Sequence, residues 1–420
     1  MTLFRAGASL ALGLPLVVGC GPADDGRDPN AISVGLVAPF TGEFAAPGAN
    51  IERAMLTLKH IVNDAGGVAG HPLAIHAVDS RSDVPHGLES ARSLAADPSV
   101  LAFIGPDYDE LVAAMQEEVM DSSWAHILPG ITALDLAASN GRSRFRIGPL
   151  AEGLGCALAE RMYDLGYRKV VVLNGPDSTS QGFGEAIGST LDGYGMVGRA
   201  SWTRIDVSSS SRVIDDALDR VQQLNPDAIV VAASAELGIQ IVQNSVGSSK
   251  LSRKAWFLSP SLLNQAVVVN ILPGTLEGAI GVAPAVAFQD DATGLAEQVE
   301  ARFGDEPFIN SYYYYDAMAL AVLAIEAAAY DAGAIPTRAQ VAAQIRRVAR
   351  APGHQVRWNQ IPEGLDILRS GGDVDYVGIT GNLSLDSQGD TDQDSMHFRQ
   401  EKIEGNHTVF EAYRVCVPIQ

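Results

Sequence analysis

Residues 31–80 read AISVGLVAPF TGEFAAPGAN IERAMLTLKH IVNDAGGVAG HPLAIHAVDS. The first ten form a short apolar run, the pattern of a strand buried on both faces. Ile51, Met55, Leu58 and Val62 then recur at helical spacing in IERAMLTLKHIV. HPLAIHAVDS returns to a strand pattern, so the stretch predicts strand, amphipathic helix, strand, the unit of a parallel sheet. The unit continues with helix HGLESARSLAAD, strand VLAFIGP, helix DELVAAMQEEV and strand AHILPG.

The alternation restarts after RFRIGP. Helix CALAERMYDLG is followed by strand KVVVLNG, helix FGEAIGSTLDGYG, strand VGRASWTRI, helix RVIDDALDRVQQL and strand DAIVVAAS. Helix AELGIQIVQNSV, strand AWFLSP and a short helix in LLNQAVVVNIL complete the run. Two such runs predict an α/β protein of two doubly wound, Rossmann-like lobes with mainly parallel sheets. Ligands of these sheets sit outside the carboxyl ends of the strands, so two facing edges make a cleft. The last third changes character. Two long helices, Asn310 to Ala332 and Thr337 to Arg350, precede an irregular segment rich in glycine and charge. The strand-like NLSLD, MHFRQEKIE and TVFEAYRV follow, with a hairpin turn at residues 405–407.

The N-terminus predicts export. Arg5 precedes an apolar stretch from Ala6 to Gly19, and Gly19 stands directly before Cys20. This is the layout of a secretory signal, too short to span a bilayer comfortably. Cys20 resembles the lipidation site of bacterial lipoproteins. Residues 1–19 are therefore expected to be a lipoprotein signal peptide and residues 20–30 a lipidated tether, which places the body in the cell envelope. A signal peptide cleaved elsewhere, or a short anchor helix, is the competing reading. The ten tether residues after Cys20 reach at most roughly 35 Å.

Charge and composition narrow the function. The 420 residues carry a formal charge of −21, with 47% hydrophobic and 19% charged residues. Nucleic-acid affinity comes from Lys and Arg on phosphate, so that partner is excluded, and the acidic surface serves solubility. With Cys20 assigned to lipid, Cys156 and Cys416 remain. One disulfide, or two separate buried thiols, satisfies that count equally.

The whole of residues 31–415 resembles the branched-chain amino-acid (Leu/Ile/Val) binding proteins of ABC transporters, which are type I periplasmic binding proteins. The resemblance rests on APFTG, NDAGGVAGHPL, FIGP, LPGITA, FRIGP, GFGEAI, NPDAIVVAAS, LEGAIGVAP, YYDAMAL and DVDYVGITGNLSLDSQGD, in that order. It implies three chain crossings, near 147–149, 281–284 and 378–381. Lobe one is then 31–147 plus 284–378, and lobe two 148–283 plus 379–420. Cys156 and Cys416 share lobe two on this mapping, which favours their pairing. The implied mechanism is hinge closure on a small solute that a membrane-bound ABC permease then receives. The expected protein is a monomer, with no cofactor and no enzymatic activity.

The resemblance also locates a ligand site and shows where this chain departs from it. The family's carboxylate-holding hydroxyl after the third strand falls on Asp109, which would repel an anion. Its threonine after the fourth strand survives as Thr132, beside Gly130 and Ile131. Its acidic partner for an α-ammonium falls on Ser261, and two lobe-two aromatic positions fall near Gln181 and Ser234. Phe44, Tyr108 and Phe183 lie in loops expected at the cleft and supply apolar walls. The ligand expected is therefore not a plain aliphatic amino acid. A hydroxylated, amide-like or cationic compound fits Asp107, Asp109, Thr132, Ser234 and Ser261 better. Structural roles compete with these. Asp107 and Glu110 have capping-box spacing, Thr132 suits the N-cap of a following helix, and each aromatic suits simple packing.

Three other constellations carry less. Asp390, Asp392, Asp394 and Glu401 fall at positions one, three, five and twelve of a calcium-loop spacing, but Ser395 replaces the turn glycine and the flanks read as strands. Tyr312 to Tyr315 open a helix whose Met318, Val322 and Ile325 continue an apolar face, which indicates core. Ser210 or Ser211 suits a helix cap. No histidine cluster has metal-ligand spacing, and no nucleophile–base spacing supports an exported hydrolase. Against the transport receptor stands one alternative: a signalling or scaffold lipoprotein that uses the same fold to sense a ligand or regulate an envelope enzyme.

Overall fold

The computed structural model describes residues 28–420 apart from 43–44, 107, 121–122, 132–142, 196–199, 264, 270, 392–395, 415 and 417–420. Cys20 and most of the tether lie outside the described residues. Within them, no helix is long and apolar enough to cross a membrane.

The first stretch builds strands β1 (Ile32–Ala38), β2 (Leu73–Asp79), β3 (Val100–Ile104), β4 (Ala125–Leu128) and β5 (Arg144–Arg146). Helices α1 (Ala45–Asp64), α2 (Val84–Ala96) and α3 (Asp109–Glu118) connect the first four. The strands lie in the order β2-β1-β3-β4-β5, and all pair in parallel. β1 is buried along its full length, which explains its unbroken apolar sequence: helices cover both faces. The spacing in α1 works as predicted, with Ile51, Met55, Leu58 and Val62 all inside one core. α2 starts where the Asp83 carboxylate accepts from the His86 amide.

The second stretch gives α4 (Ala151–Asp164), β6 (Lys169–Asn174), α5 (Ser178–Gly195), β7 (Ser201–Asp206), α6 (Ser211–Leu224), β8 (Ala228–Ala232), α7 (Ala235–Ser245), β9 (Ala255–Leu258), α8 (Gln265–Val268) and β10 (Ile280–Pro284). Ser210 stands at the N-cap of α6, although its side chain makes no capping bond. The last third adds α9 (Gln289–Phe303), α10 (Ile309–Ala332), α11 (Arg338–Val348), β11 (His354–Arg357), α12 (Ile361–Arg369), β12 (Val374–Gly378), β13 (Gly381–Asn382), β14 (Phe398–Glu404) and β15 (His407–Arg414). Two lobes result. β14 and β15 add antiparallel to the second sheet, whose order is β15-β14-β10-β9-β8-β6-β7. Gly405 and Asn406, both at positive φ, make their hairpin turn, as a tight two-residue connection requires.

Helices α9 to α12 and the small sheet β11-β12-β13 return to the first lobe. α10 is buried almost all round, so it reads as apolar on every face. Tyr313, Tyr314 and Tyr315 are buried in it, and the Tyr315 hydroxyl donates to the Trp358 carbonyl at 3.0 Å. The expectation of an irregular segment before the terminal strands is corrected here. Residues 354–378 hold two strands and a helix, because Ile361, Leu365 and Leu368 give α12 one buried face.

Cys156 on α4 and Cys416 beyond β15 form a disulfide, with Cα atoms 5.7 Å apart across 260 residues of sequence. It joins the end of the chain to the second lobe, where both cysteines are buried.

Candidate functional site

The carboxyl ends of the parallel strands deliver the loops that chemistry can use. After β1, residues Phe40 and Thr41 are organised by Asp79 at the end of β2. Its carboxylate accepts from the Phe40, Thr41 and Arg81 amides at 2.9, 3.1 and 2.8 Å, and from the Thr41 hydroxyl. Burial pushes the Asp79 carboxyl up, but these bonds from Thr41, Arg81 and Phe40 outweigh it and hold it below its ordinary value.

After β3 the chain turns at Gly105, whose φ is +77° and where a Cβ would stand 2.7 Å from the Val37 carbonyl. Only glycine takes that corner without strain. The Gly105 carbonyl accepts from His126 Nε2 at 2.8 Å, which puts the imidazole proton on Nε2. His126 is buried, and desolvation lowers its pKa to about 4, with the Arg144 charge acting in the same direction. A neutral histidine therefore supports the loop that carries Tyr108 and Asp109.

Tyr108 is 38% exposed at the start of α3. Burial, then the charges of Glu110 and Asp83, raise its pKa. Tyr108 is the N-cap residue and makes no side-chain capping bond. The capping box expected from Asp107 and Glu110 is thus corrected: α3 starts at Asp109, and Asp107 lies outside the described residues. Asp109 is the first helical residue, and its carboxylate accepts from the Thr179 hydroxyl in the first turn of α5. This bond crosses from one lobe to the other. The N-terminal turns of α3 and α5 meet there, both carrying partial positive charge, with an acid between them.

The remaining expected positions divide. Gly130 is half-buried, and Ile131 packs with Val112 and Leu128. Phe44 and Thr132 lie outside the described residues. In lobe two, Gln181 donates to the Gly175 carbonyl at 2.5 Å and accepts from Arg204. Ser234 is the exposed N-cap residue of α7, and Ser261 is exposed and donates to the Ala233 carbonyl at 3.0 Å. Phe183 is buried. It is 2% exposed and packs inside the lobe-two core with Leu154 and Ile187, as the simple-packing reading has it. Sequence reasoning missed Thr179 and His126, which act through partners distant in the chain. It also passed over Asp79, whose Asp–Ser–Arg turn was a local signal.

The described members of the calcium-loop spacing are engaged by arginines. Both Asp390 oxygens are taken by Arg146, at 2.6 Å each, and Glu401 is paired with Arg399. Asp392 and Asp394 lie outside the described residues. Among the described residues, the one group of three close potential ligands is Cys156, Glu160 and Cys416. Its two sulfurs are bonded to each other. A groove of about 520 Å³ beside Pro98, Ser123 and Ile335 opens at the opposite ends of the lobe-one strands. Its cation, Arg338, is spent on the Val100 and Asp97 carbonyls.

Comparison with known proteins agrees with this architecture. Residues 31–358 match the family described as periplasmic binding protein. A chemotactic signal transduction system substrate-binding protein, BasB, from Halobacterium salinarum is 26% identical over 373 residues, spanning 84% of this chain and 83% of its own. The leucine binding protein LivK from Thermotoga maritima superposes with a TM-score of 0.67 at 18% identity, covering 91% of this chain and 98% of its own. A solute binding protein of an ABC transporter from R. palustris, solved in complex with benzoate, gives 0.63 at 17% identity, with 92% and 97% covered. A match over most of the chain, on a fold these structures share, is membership: the chain belongs to the periplasmic binding proteins, in their two-lobed type I form.

Proposed function

We propose that this protein is an envelope-anchored receptor that closes its two lobes on a small solute and presents it to an ABC permease. The family is a ligand-binding one, not a family of enzymes. The observation that carries the finer reading is the Asp109 carboxylate between α3 and α5. An acid there opposes a ligand carboxylate, and Ser261 and Ser234 offer hydroxyls where an ammonium partner or an aromatic wall is expected. The solute is then cationic, amide-like or hydroxylated, held by Tyr108, Asp109, Gly130, Ile131, Thr132, Gln181, Ser234 and Ser261, with Phe44 as an apolar wall. A thermal-shift screen of leucine, valine, polyamines, amides, sugars and aromatic acids tests this, since a bound solute raises the melting temperature by mass action. Cationic or neutral hits that weaken at least about tenfold in Asp109→Ala support the reading. Tight leucine or valine binding rejects it.

Lobe one is assigned 31–147 and 284–378, and lobe two 148–283 and 379–420, with the third passage of chain running on from this last boundary. Leu383 and Leu385, in the third passage, pack in the lobe-one core. The anchor is assigned to Cys20. Cys20→Ser should move the protein from the membrane fraction to the soluble one, and an unchanged distribution would sink the lipid assignment.

One observation favours a second reading, in which the closed receptor signals. BasB is named for chemotactic signal transduction and aligns along most of both chains. Solute-dependent pull-down of a permease supports transport, and pull-down of a transducer supports signalling.

A further inference from the structure

The two lobes are joined by three passages of chain, and the hydrogen bonds around them are unevenly placed. Arg146 ends β5 with its side chain only 1% exposed. Its guanidinium grips Asp390 through two parallel bonds, Nε to Oδ1 and Nη2 to Oδ2, each 2.6 Å. Its backbone joins the same neighbour: the Arg146 amide donates to the Gly389 carbonyl, and the Thr391 amide and hydroxyl donate to the Arg146 carbonyl. The first and third passages thus run side by side, welded over three residues although 244 apart in sequence.

The third passage is also fixed from lobe one. Asp316 in α10 is fully buried and accepts from the Thr380 hydroxyl and amide, the Ile379 amide and the Tyr376 hydroxyl. The Ile379 carbonyl in turn accepts from the Ala287 and Phe288 amides of the second passage. On the other side, Pro284 pairs with Phe398, and the Ala285 amide donates to the His397 carbonyl. Lobe one therefore holds all three passages up to Arg146, Ala287 and Thr391, and lobe two holds two of them again within a few residues.

We propose that the Arg146–Asp390 pair is a positioning pair for solute capture, which binds the first and third passages into one rigid block of lobe one and confines lobe rotation to the lobe-two side of it. This rests on the reading that the lobes close on a solute. A planar bidentate pair resists both sliding and twisting of the two segments, which a single-point contact does not. Hinge closure places its rotation on a few residues at element ends, and the residues just past the pair, 147–150, are of that kind.

The test is the spread of lobe separations in the solute-free full-length protein, read by single-molecule FRET. Dyes are carried on a non-natural amino acid at exposed Glu117 in lobe one and exposed Gln243 in lobe two. Arg146→Met with Asp390→Leu removes both charges together, a change that buried pairs often tolerate. Arg146→Lys keeps the charge and loses the fork, and serves if the double variant does not fold. The expected result is a distribution roughly twice as wide in the double variant, and an intermediate one in Arg146→Lys. Melting temperatures should stay within about 4 °C of wild type. An unchanged distribution in a folded variant overturns the proposal. A wider distribution in a protein that binds no solute keeps the hinge inference and removes the receptor reading.

Discussion

His126 shows how one residue links the site to pH. Its ordinary pKa is 6.5 and burial lowers it to about 4, so the folded protein holds it neutral while the unfolded chain protonates. The unfolded state binds more protons between these values, and stability falls as pH falls through that window. The contribution is complete above about pH 6.5 and is lost towards pH 4; a gap of that size is worth about 3 kcal/mol. His126→Phe removes the titration along with the bond to Gly105. In urea unfolding from pH 7 to pH 4.5, the wild-type advantage over the variant should shrink by roughly 2 kcal/mol, most of that gap. Parallel pH curves would show that His126 is not held neutral. Little of this was legible in the sequence, where His126 is one of eight histidines without a cluster. Its role depends on a carbonyl 21 residues away. Asp109 with Thr179 and Arg146 with Asp390 were hidden for the same reason, being 70 and 244 residues apart.

Elements were legible wherever burial imposes a simple period. β1 and α1 follow their patterns because one is covered on both faces and the other on one. α9 was not read because charged residues crowd its few apolar ones, and α12 was taken for irregular chain because it is only nine residues long; each also has a glycine inside, normally a breaker. The structure gives another reason for those glycines. A Cβ at Gly294 would stand 2.8 Å from the Trp358 ring, and one at Gly364 would stand 3.0 Å from Val356. They are contact points where helix and neighbour meet closely. β15 raises a different question, since it is an edge strand exposed along most of its length. Beyond pairing with β14 and ion pairs from Glu411 to Arg161 and from Arg414 to Asp164, the disulfide just past its end fixes it. Replacing Cys156 and Cys416 together with serine should cost about 2–5 kcal/mol. Amide hydrogen exchange should then speed up in β14 and β15 and stay unchanged in β1 and β3. Equal acceleration everywhere would mean that the bond supports the whole fold and not this edge.

At the scale of the molecule, the question is what holds the lobes together when no solute does. The welded passages near Arg146 set how the lobes move but favour neither the open nor the closed position. The Asp109–Thr179 bond differs, because it spans the seam away from the passages and exists only while the lobes are apposed. A contact made in one state alone shifts the balance towards that state by its own free energy. A hydrogen bond to a charged group contributes about 1.5 kcal/mol or more, roughly a tenfold change in the closed-to-open ratio. Thr179→Val keeps the side-chain shape and removes the donor. The expected outcome is a solute-free population shifted towards wider lobe separation in the same FRET measurement, with its width unchanged. A solute that takes the Asp109 oxygen held by Thr179 must displace that hydroxyl, so the variant should bind such a solute more tightly than wild type. A solute that avoids Asp109 should instead bind more weakly, because closure has lost a contact. The sign of the affinity change in Thr179→Val therefore reports whether the solute takes Asp109 for itself, and no change in either affinity or lobe separation would mean that the bond does not govern closure.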